Sequence, residues 1–472
     1  MGSIESQPPT QGQVPQHFQV AIVGGGIAGV TLALACERYG LRYALFEARD
    51  SLAPADGASI GLQANGLRIL DQLGVYDEIE RRTAPVRRWA HWDADGKLLC
   101  QTDAFSYYRS KFGYASTCLD RQILLEIMSS QLRGSDDGSK DLIKLSCRIS
   151  SLREDEKQVT ITTTDGLVVT ADLVVGADGV RSSVRRFIDS QPVDGHSPKA
   201  DDCKHEYTFR VRLRHLAPMD GIAEGDCFSV YREGAAVLSF TGKGGVVFWF
   251  VFEDLGETLP LSRSPRYRAP EQDAEAVCRS VAHLRVAPAV LFGDIYARRT
   301  ACMKTALEEG IAERWSSGRA VIVGDAAHKM VPNAAQGGNQ AMESVALLLN
   351  ELGSVSGDGA LKIPPADALR AALCSYSEQR RARTTKIQSL AGTICRTQMF
   401  PHGEQTAAAY QQLPTLSDAD WLFRGMMGFL GAPCLNGIPL TERGKLFDET
   451  LASFQQRLST EKYSSKEELV GI

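Results

Sequence analysis

A membrane-spanning helix needs ~20 consecutive apolar residues, and the sequence has no such run. The nearest stretch, 421–440, is broken by Arg424, Asn436, two prolines and several glycines. It is expected to form a buried loop-helix or a membrane-surface patch. A secretory leader is also missing. The first residues carry Gln, Pro and Ser and no apolar run, so 1–17 is expected to be a disordered leader. Met1-Gly2-Ser3-Ile4-Glu5-Ser6 fits the short, degenerate myristoylation pattern, which a plain chain start also satisfies. Basic charge is not in excess: 52 Lys+Arg stand against 57 Asp+Glu, a net charge of −5. That balance argues against a nucleic-acid partner. The 11 cysteines are odd in number and none has metal-ligand spacing. They are expected to be free thiols in a reducing compartment, with no zinc site and no disulfide framework. A cytoplasmic location follows, with room for peripheral association with the endoplasmic reticulum membrane. Repeats and heptads are absent.

Glycine, by contrast, is plentiful: 43 of 472 residues, about 9 % against a usual ~7 %. The length suits about two or three domains. Residues 18–23 form an apolar run of strand type. Gly24-Gly25-Gly26-Ile27-Ala28-Gly29 follows, then a helical pattern over 30–39 and a second strand over 42–47. This is a βαβ unit within about 30 residues. A helix is expected over 122–132 and strands over 144–152, 158–163, 167–170 and 173–176. From 201 to 296 the alternating segments 207–213, 228–231, 236–240 and 245–252 predict a mostly antiparallel sheet. A buried strand returns at 320–323. Helices are expected over 339–351 and 368–390, the second with Asp367 as N-cap. The fold class is therefore α/β. A Rossmann-like domain in two pieces, 18–200 and 297–400, would hold an inserted β domain, 201–296, and be followed by a helical region, 401–472.

Three motifs carry chemistry. In Gly24-x-Gly26-x-x-Gly29 the first glycine permits a tight turn, the second lets backbone approach a pyrophosphate, and the third lets helix pack on sheet. The helix N-terminus adds free N–H groups and a positive dipole end. Glu47, at the end of the second strand, suits ribose hydroxyls and repels a 2′-phosphate. The second motif runs Leu173-Val174-Val175-Gly176-Ala177-Asp178-Gly179-Val180-Arg181-Ser182-Ser183-Val184-Arg185. Asp178 can accept hydrogen bonds near a pyrophosphate, and Arg181 and Arg185 can pair with phosphates or with acidic partners. An ordinary helix capped by Asp178 fits equally well. The third motif is Gly324-Asp325-Ala326-Ala327-His328, continuing through Pro332-Asn333 to Gly337-Gly338-Asn339. Asp325 suits a sugar hydroxyl, and the N–H groups after Gly337 and Gly338 suit an electron-rich ring edge. His328 is expected to hold the loop rather than act in catalysis.

In this order the motifs resemble those of the FAD-dependent monooxygenases that share the p-hydroxybenzoate hydroxylase fold. The resemblance spans about 18–400. It implies that FAD is bound by Gly24, Gly26, Gly29, Glu47, Asp178, Asp325, Pro332, Gly337, Gly338 and Asn339. Arg121, in Leu119-Asp120-Arg121-Gln122, matches the family's FAD-contacting arginine, and Gly61, in Ser59-Ile60-Gly61-Leu62, a backbone position near the flavin. A narrower likeness, through 325–343 and Ala306-Leu307-Glu308-Glu309-Gly310, is to the fungal monooxygenases of paxilline and meroterpenoid biosynthesis, which commonly epoxidise a prenyl-chain olefin. The family's usual Glu-Asp-Ala is Glu343-Ser344-Val345 here.

Only one nucleotide fingerprint is present, so NAD(P)H is expected to bind transiently, without a Rossmann domain of its own. The resemblance implies reduction of the flavin, a C4a-hydroperoxyflavin and oxygen transfer to an electron-rich substrate. Metal is not expected. Arg210 and Tyr231, on expected strands of the β domain, are the candidate catalytic side chains. Arginine can stabilise peroxide charge and tyrosine can donate a proton; the plain alternative is two strand residues with solvated tips. Olefin epoxidation leads, and aromatic ring hydroxylation is the alternative on the same scaffold. Flavin halogenation lacks its Trp-x-Trp-x-Ile-Pro segment. A non-catalytic prenyl-protein escort on a related fold would not need Gly324-Asp325.

Overall fold

The computed structural model describes residues 15–55, 59–133, 142–191, 206–211, 213–214, 219–258, 271–300, 302, 304–353, 361–459 and 465–471. The strand Gln16–Val23 lies between two parallel neighbours and is buried over its last four residues. Its near-continuous apolar run is what a strand covered on both faces requires. It pairs with Tyr43–Phe46 on one side and Val168–Gly176 on the other. Leu142–Lys144 and Ala320–Ile322 extend the parallel sheet. The antiparallel strands Ile149–Glu154, Val159–Thr163 and Ser316–Ser317 complete it. The helix Ile27–Arg38 packs against Gly337–Glu351 beside this sheet, with ten of its residues buried.

The sequence expectations need three local corrections. The first strand begins at Gln16, so the expected leader ends sooner than residue 17; the myristoylation pattern lies outside the described residues. The stretch 144–152 holds two strands separated by Ser146, whose φ of 52° turns the chain. The long helix runs Ala366–Met399 and is capped at Pro365, with Asp367 in the first turn. There Asp367 still meets the positive end of the helix dipole.

A second sheet has the order Lys304–Leu307, Glu206–Val211, Val247–Thr258, Ala235–Thr241, Asp226–Tyr231, Arg88–Asp93, Leu98–Thr102. It is antiparallel except where Asp226–Tyr231 runs parallel to Arg88–Asp93. Strands from before and after 201–296 therefore join those from within it. One face packs Phe228, Val230, Val237, Trp249 and Val251 under the helices Glu271–Ser280 and Phe292–Ala297. The other carries Leu238, Phe240, Phe250 and Phe252 toward the long helix. The period of two thus gives one face to a local core and the other to the rest of the molecule. Among the described residues, 407–470 add four α-helices. In the stretch 421–440, Leu422, Met426 and Phe429 are buried. Among the described residues, no helix is long and apolar enough to cross a membrane.

Candidate active site

The glycine loop after the first strand is built by close approach. Gly24 has φ 106°, and a Cβ there would lie 2.5 Å from the Ala177 carbonyl oxygen of the second motif. A Cβ on Gly29 would lie 1.8 Å from the Gly24 carbonyl oxygen, so helix and strand touch through it. Gly26 differs. Its missing Cβ has only the Arg121 Nη2 nearby, at 3.4 Å, and it faces a cavity. Glu47 accepts from the Gly25 N–H at 2.7 Å and from the Arg49 N–H at 2.9 Å. It pins the loop while lone pairs remain on both oxygens for further donors.

In the second motif the helix N-cap is Ser182, not Asp178: the Ser182 Oγ accepts from the Arg185 N–H at 2.9 Å. Asp178 Oδ2 accepts from the N–H and the hydroxyl of Ser183 at 2.6 and 2.7 Å, and its Oδ1 is buried without a partner. Arg185 is turned into the protein. It is 6 % exposed and donates to the carbonyls of Ala326 and Val180, tying the second motif to the third. Arg181 lies 3.9 Å from Glu308.

Asp325 sits in a short turn, Gly324–Ala326, directly after the strand Ala320–Ile322. Burial would raise its pKa, but the Lys329 ammonium at 2.7 Å, with Arg121 adding to it, holds the carboxyl below the ordinary range. His328 is fully buried, and its Nε2 is 2.7 Å from the Ser344 Oγ. Burial, then Arg380, lowers its pKa to about 3, so it is a neutral brace for the loop. Ala335 adopts a left-handed φ of 51°, which costs a non-glycine residue about 1 kcal/mol. Its carbonyl accepts from Asn339 Nδ2 at 2.6 Å. Asn339 also donates to the Gly61 carbonyl and accepts from the Gln63 N–H, both at 3.1 Å. Asn339 thus holds the walls together and does not itself line the cavity. Gly61 sits on the ribbon Ser59–Leu62 paired with Thr117–Asp120, and a Cβ there would meet the Ala335 Cβ at 2.7 Å.

The cavity between these loops measures about 410 Å³. Gly26, Gly61, Arg121, Asp325, Pro332, Gly337 and Gly338 all line it. Gly24, Gly29, Glu47, Asp178 and Asn339 stand behind that lining. Phe240, Phe250 and Leu307 close it from the second sheet, joined by Lys329, Met330 and Cys118. Of these, Phe240 and Phe250 share a face through the register that pairs Phe240 with Phe248 and Leu238 with Phe250, which alternation within either segment does not give; Lys329 carries no local signal. Tyr231 is not brought to the cavity. It is 4 % exposed at the far end of its strand, its OH 3.1 Å from the His91 Nδ1 and its ring against Leu413 and Tyr410. Arg210 lies opposite Thr305 in the strand Glu206–Val211; its side chain is outside the described ones.

Beneath the third motif lies a buried ionic network. Glu343 is paired with Arg380 at 2.8 Å and Arg383 at 2.7 Å, and accepts from Asn65 at 2.6 Å and Gln340 at 3.1 Å. Burial alone would raise its pKa, but the two guanidinium groups hold it at about 2. Gln336 joins the same network through Asn65 and Gln340, both at 3.0 Å.

The lining fits a dinucleotide with a flavin. Gly26 and Gly337 are not needed by the protein's own packing: a Cβ added at Gly337 would meet no heavy atom within 4 Å. What each omits is a Cβ that would intrude on the cavity. A family model described as "FAD binding domain" matches residues 17–391. FAD-dependent monooxygenase olcE of Penicillium canescens is 34 % identical over 393 residues, covering 81 % of this chain and 82 % of the relative. FAD-dependent monooxygenase paxM of Penicillium paxilli is 34 % identical over 393 residues, covering 81 % and 79 %. Among solved structures, Klebsiella pneumoniae HpxO complexed with FAD and uric acid is similar at a TM-score of 0.68 and 21 % identity, covering 88 % of this chain and 97 % of that one. p-Nitrophenol 4-monooxygenase PnpA of Pseudomonas putida has a TM-score of 0.66 at 18 % identity, covering 95 % and 100 %. With the three glycine turns converging on one cavity, these matches place the chain in the family of FAD-dependent monooxygenases built on this FAD-binding domain.

Proposed function

We propose that this monooxygenase epoxidises a prenyl olefin of a terpenoid, meroterpenoid or indole intermediate in fungal secondary metabolism. The observation that carries the reading is the sheet-side wall of the cavity. Phe240, Phe250, Leu307 and Met330 are apolar, no histidine or tyrosine is among the described lining residues, and the carboxylate that is, Asp325, is tied to Lys329. Hydroxylation of a phenol is helped by a base that takes the phenolic proton. Oxygen transfer to an olefin needs no substrate proton removed, only a dry, shaped pocket.

FAD, reduced by NAD(P)H, supplies the oxygen activation. The chain's own residues do the rest. The N–H groups at the start of the helix Ile27–Arg38, beside Gly26, suit the pyrophosphate, and Glu47 the adenosine ribose. Asp325, kept ionised by Lys329, can accept from hydroxyls of the ribityl chain. Gly337 and Gly338, at the positive end of a fifteen-residue helix, suit the electron-rich edge of the ring. Phe240, Phe250 and Met330 exclude water from the face where the olefin would lie. Peripheral association with a membrane surface belongs to the same reading.

A matched pair of substrates tests it: a prenylated indole or phenol, and its analogue with the prenyl chain saturated. The olefin is expected to yield an epoxide or its cyclised product, and the saturated analogue to yield no oxygenated product. Ring hydroxylation of both compounds would instead establish the aromatic hydroxylase.

A further inference from the structure

The long helix Ala366–Met399 and the C-terminal segment crossing it leave a groove of about 510 Å³ that shares no lining residue with the cofactor cavity. Its floor is apolar, with Leu347, Ile387, Leu430 and Pro433, and no acidic residue lines it. Arg380 and Arg383 also face it, but both are held on Glu343.

The lining includes one exposed cation, Lys386, and one exposed aliphatic side chain, Met427; just beyond it each has a helix neighbour of the complementary kind, Leu390 and Arg424, the latter with its guanidinium over the Trp421 ring. Lys386 and Leu390 lie one turn apart on the long helix, and Leu390 is 48 % exposed. Arg424 and Met427 lie one turn apart on the helix Asp418–Phe429, and Met427 is 47 % exposed. The sequence of both walls is free of acid. Residues 379–403 and 421–441 hold Arg380, Arg381, Arg383, Lys386, Arg396 and Arg424, and no Asp or Glu, in a chain with 57 acidic residues and a net charge of −5. Of these, Arg380 and Arg383 are held on Glu343 and Arg396 on Glu309, so the charge offered beside the exposed aliphatic side chains is that of Lys386 and Arg424. Cations flanking exposed aliphatic groups are the composition that rests on an anionic headgroup layer.

We propose that this groove and its rim, Lys386, Leu390, Arg424 and Met427, form a docking face for an anionic bilayer surface. Ile387, at the inner wall of the groove, belongs to the same apolar cluster as Phe240, Phe250, Leu307 and Met330 of the cavity. The apolar core thus runs unbroken from the groove to the cofactor cavity. The docking face gives a place to the peripheral membrane association proposed above and rests on that part of the reading, not on the identity of the substrate.

Co-sedimentation of the FAD-loaded full chain with phosphatidylcholine vesicles, with and without phosphatidylserine, tests the proposal. Binding is expected with phosphatidylserine only, and is expected to be released by salt. Each cation near such a surface strengthens binding by roughly fivefold, so K386E/R424E is expected to weaken it roughly 25-fold or more. L390S/M427S is expected to weaken it too. Flavin content and NAD(P)H oxidation are expected to match the parent in both variants, which separates a failure of docking from a failure of the substrate reading. Absence of vesicle binding, equal binding to neutral vesicles, or binding unmoved by either variant would overturn the proposal. So would self-association of the vesicle-free protein that the same variants abolish, since a second copy would then be the occupant.

Discussion

Gly26 and Gly337 differ from the other glycines of the site in what their missing side chains face. Gly24 and Gly29 keep backbone from colliding with backbone, whereas Gly26 and Gly337 keep a cavity open. Gly26→Ala is therefore expected to leave the flavin-free protein folded and to weaken FAD binding at least tenfold, about 1.4 kcal/mol; flavin titration beside a thermal melt reads both. Gly29→Ala is expected to lose the fold as well. Two histidines set a second expectation. His91, stacked between Trp89 and Trp421, and His328 are both held by burial at pKa values of about 3, against 6.5 in an unfolded chain. Protonation favours the unfolded chain, so their contribution is complete above pH 6.5 and lost as pH falls toward 3. Each ring is expected to remove about 1.4 kcal/mol per pH unit across that window. Urea unfolding at pH 7.5 and 5.5 measures the slope, and His91→Phe, which keeps a ring in the stack, is expected to reduce it by half. An unchanged slope would show that His91 is protonated in the native protein. Tyr231→Phe removes one hydrogen bond to that same His91, at 3.1 Å, far from the cavity lining. It is expected to cost about 1 kcal/mol of stability and to leave product formation unchanged.

At the scale of elements, the third motif depends on the helix Gly337–Glu351 being held in one register. Glu343 does this by joining that helix to the long helix and to Asn65 of the helix Ala64–Gln72. Glu343→Gln leaves two buried guanidinium groups without their anion, a change that typically costs about 3–5 kcal/mol; denaturant unfolding of the flavin-free protein is expected to show it. The elements also separate what is legible in the sequence from what is not. The first βαβ unit and its glycine turn read directly, because strand, turn, helix and acid fall within one short stretch. The role of Glu343 does not, because its partners are 37 and 40 residues away and no local pattern points to them. The strand Arg88–Asp93 escapes a local reading for a like reason, since it pairs with Asp226–Tyr231 across more than a hundred residues. Tyr231 shows a subtler limit: alternation gives the face of a strand but not the distance along it. The N-cap expected at Asp367 falls at Pro365 instead, because proline fixes the backbone one residue before the helix opens.

At the scale of the molecule, two sheets built on different rules meet at one cavity. The parallel sheet contributes turns rich in glycine and hydrogen-bonding groups; the second sheet contributes Phe240, Phe250 and Leu307. One wall is suited to a charged dinucleotide and the other to an apolar molecule. That asymmetry is the physical content of the proposed activity. The most direct test is turnover of the FAD-loaded protein with NAD(P)H, a prenylated substrate and ¹⁸O₂, read by mass spectrometry. One ¹⁸O atom in a prenyl epoxide, or in the cyclised product derived from it, is the expected result. Label in the aromatic ring, or label found only in hydrogen peroxide with the prenyl chain untouched, would contradict it.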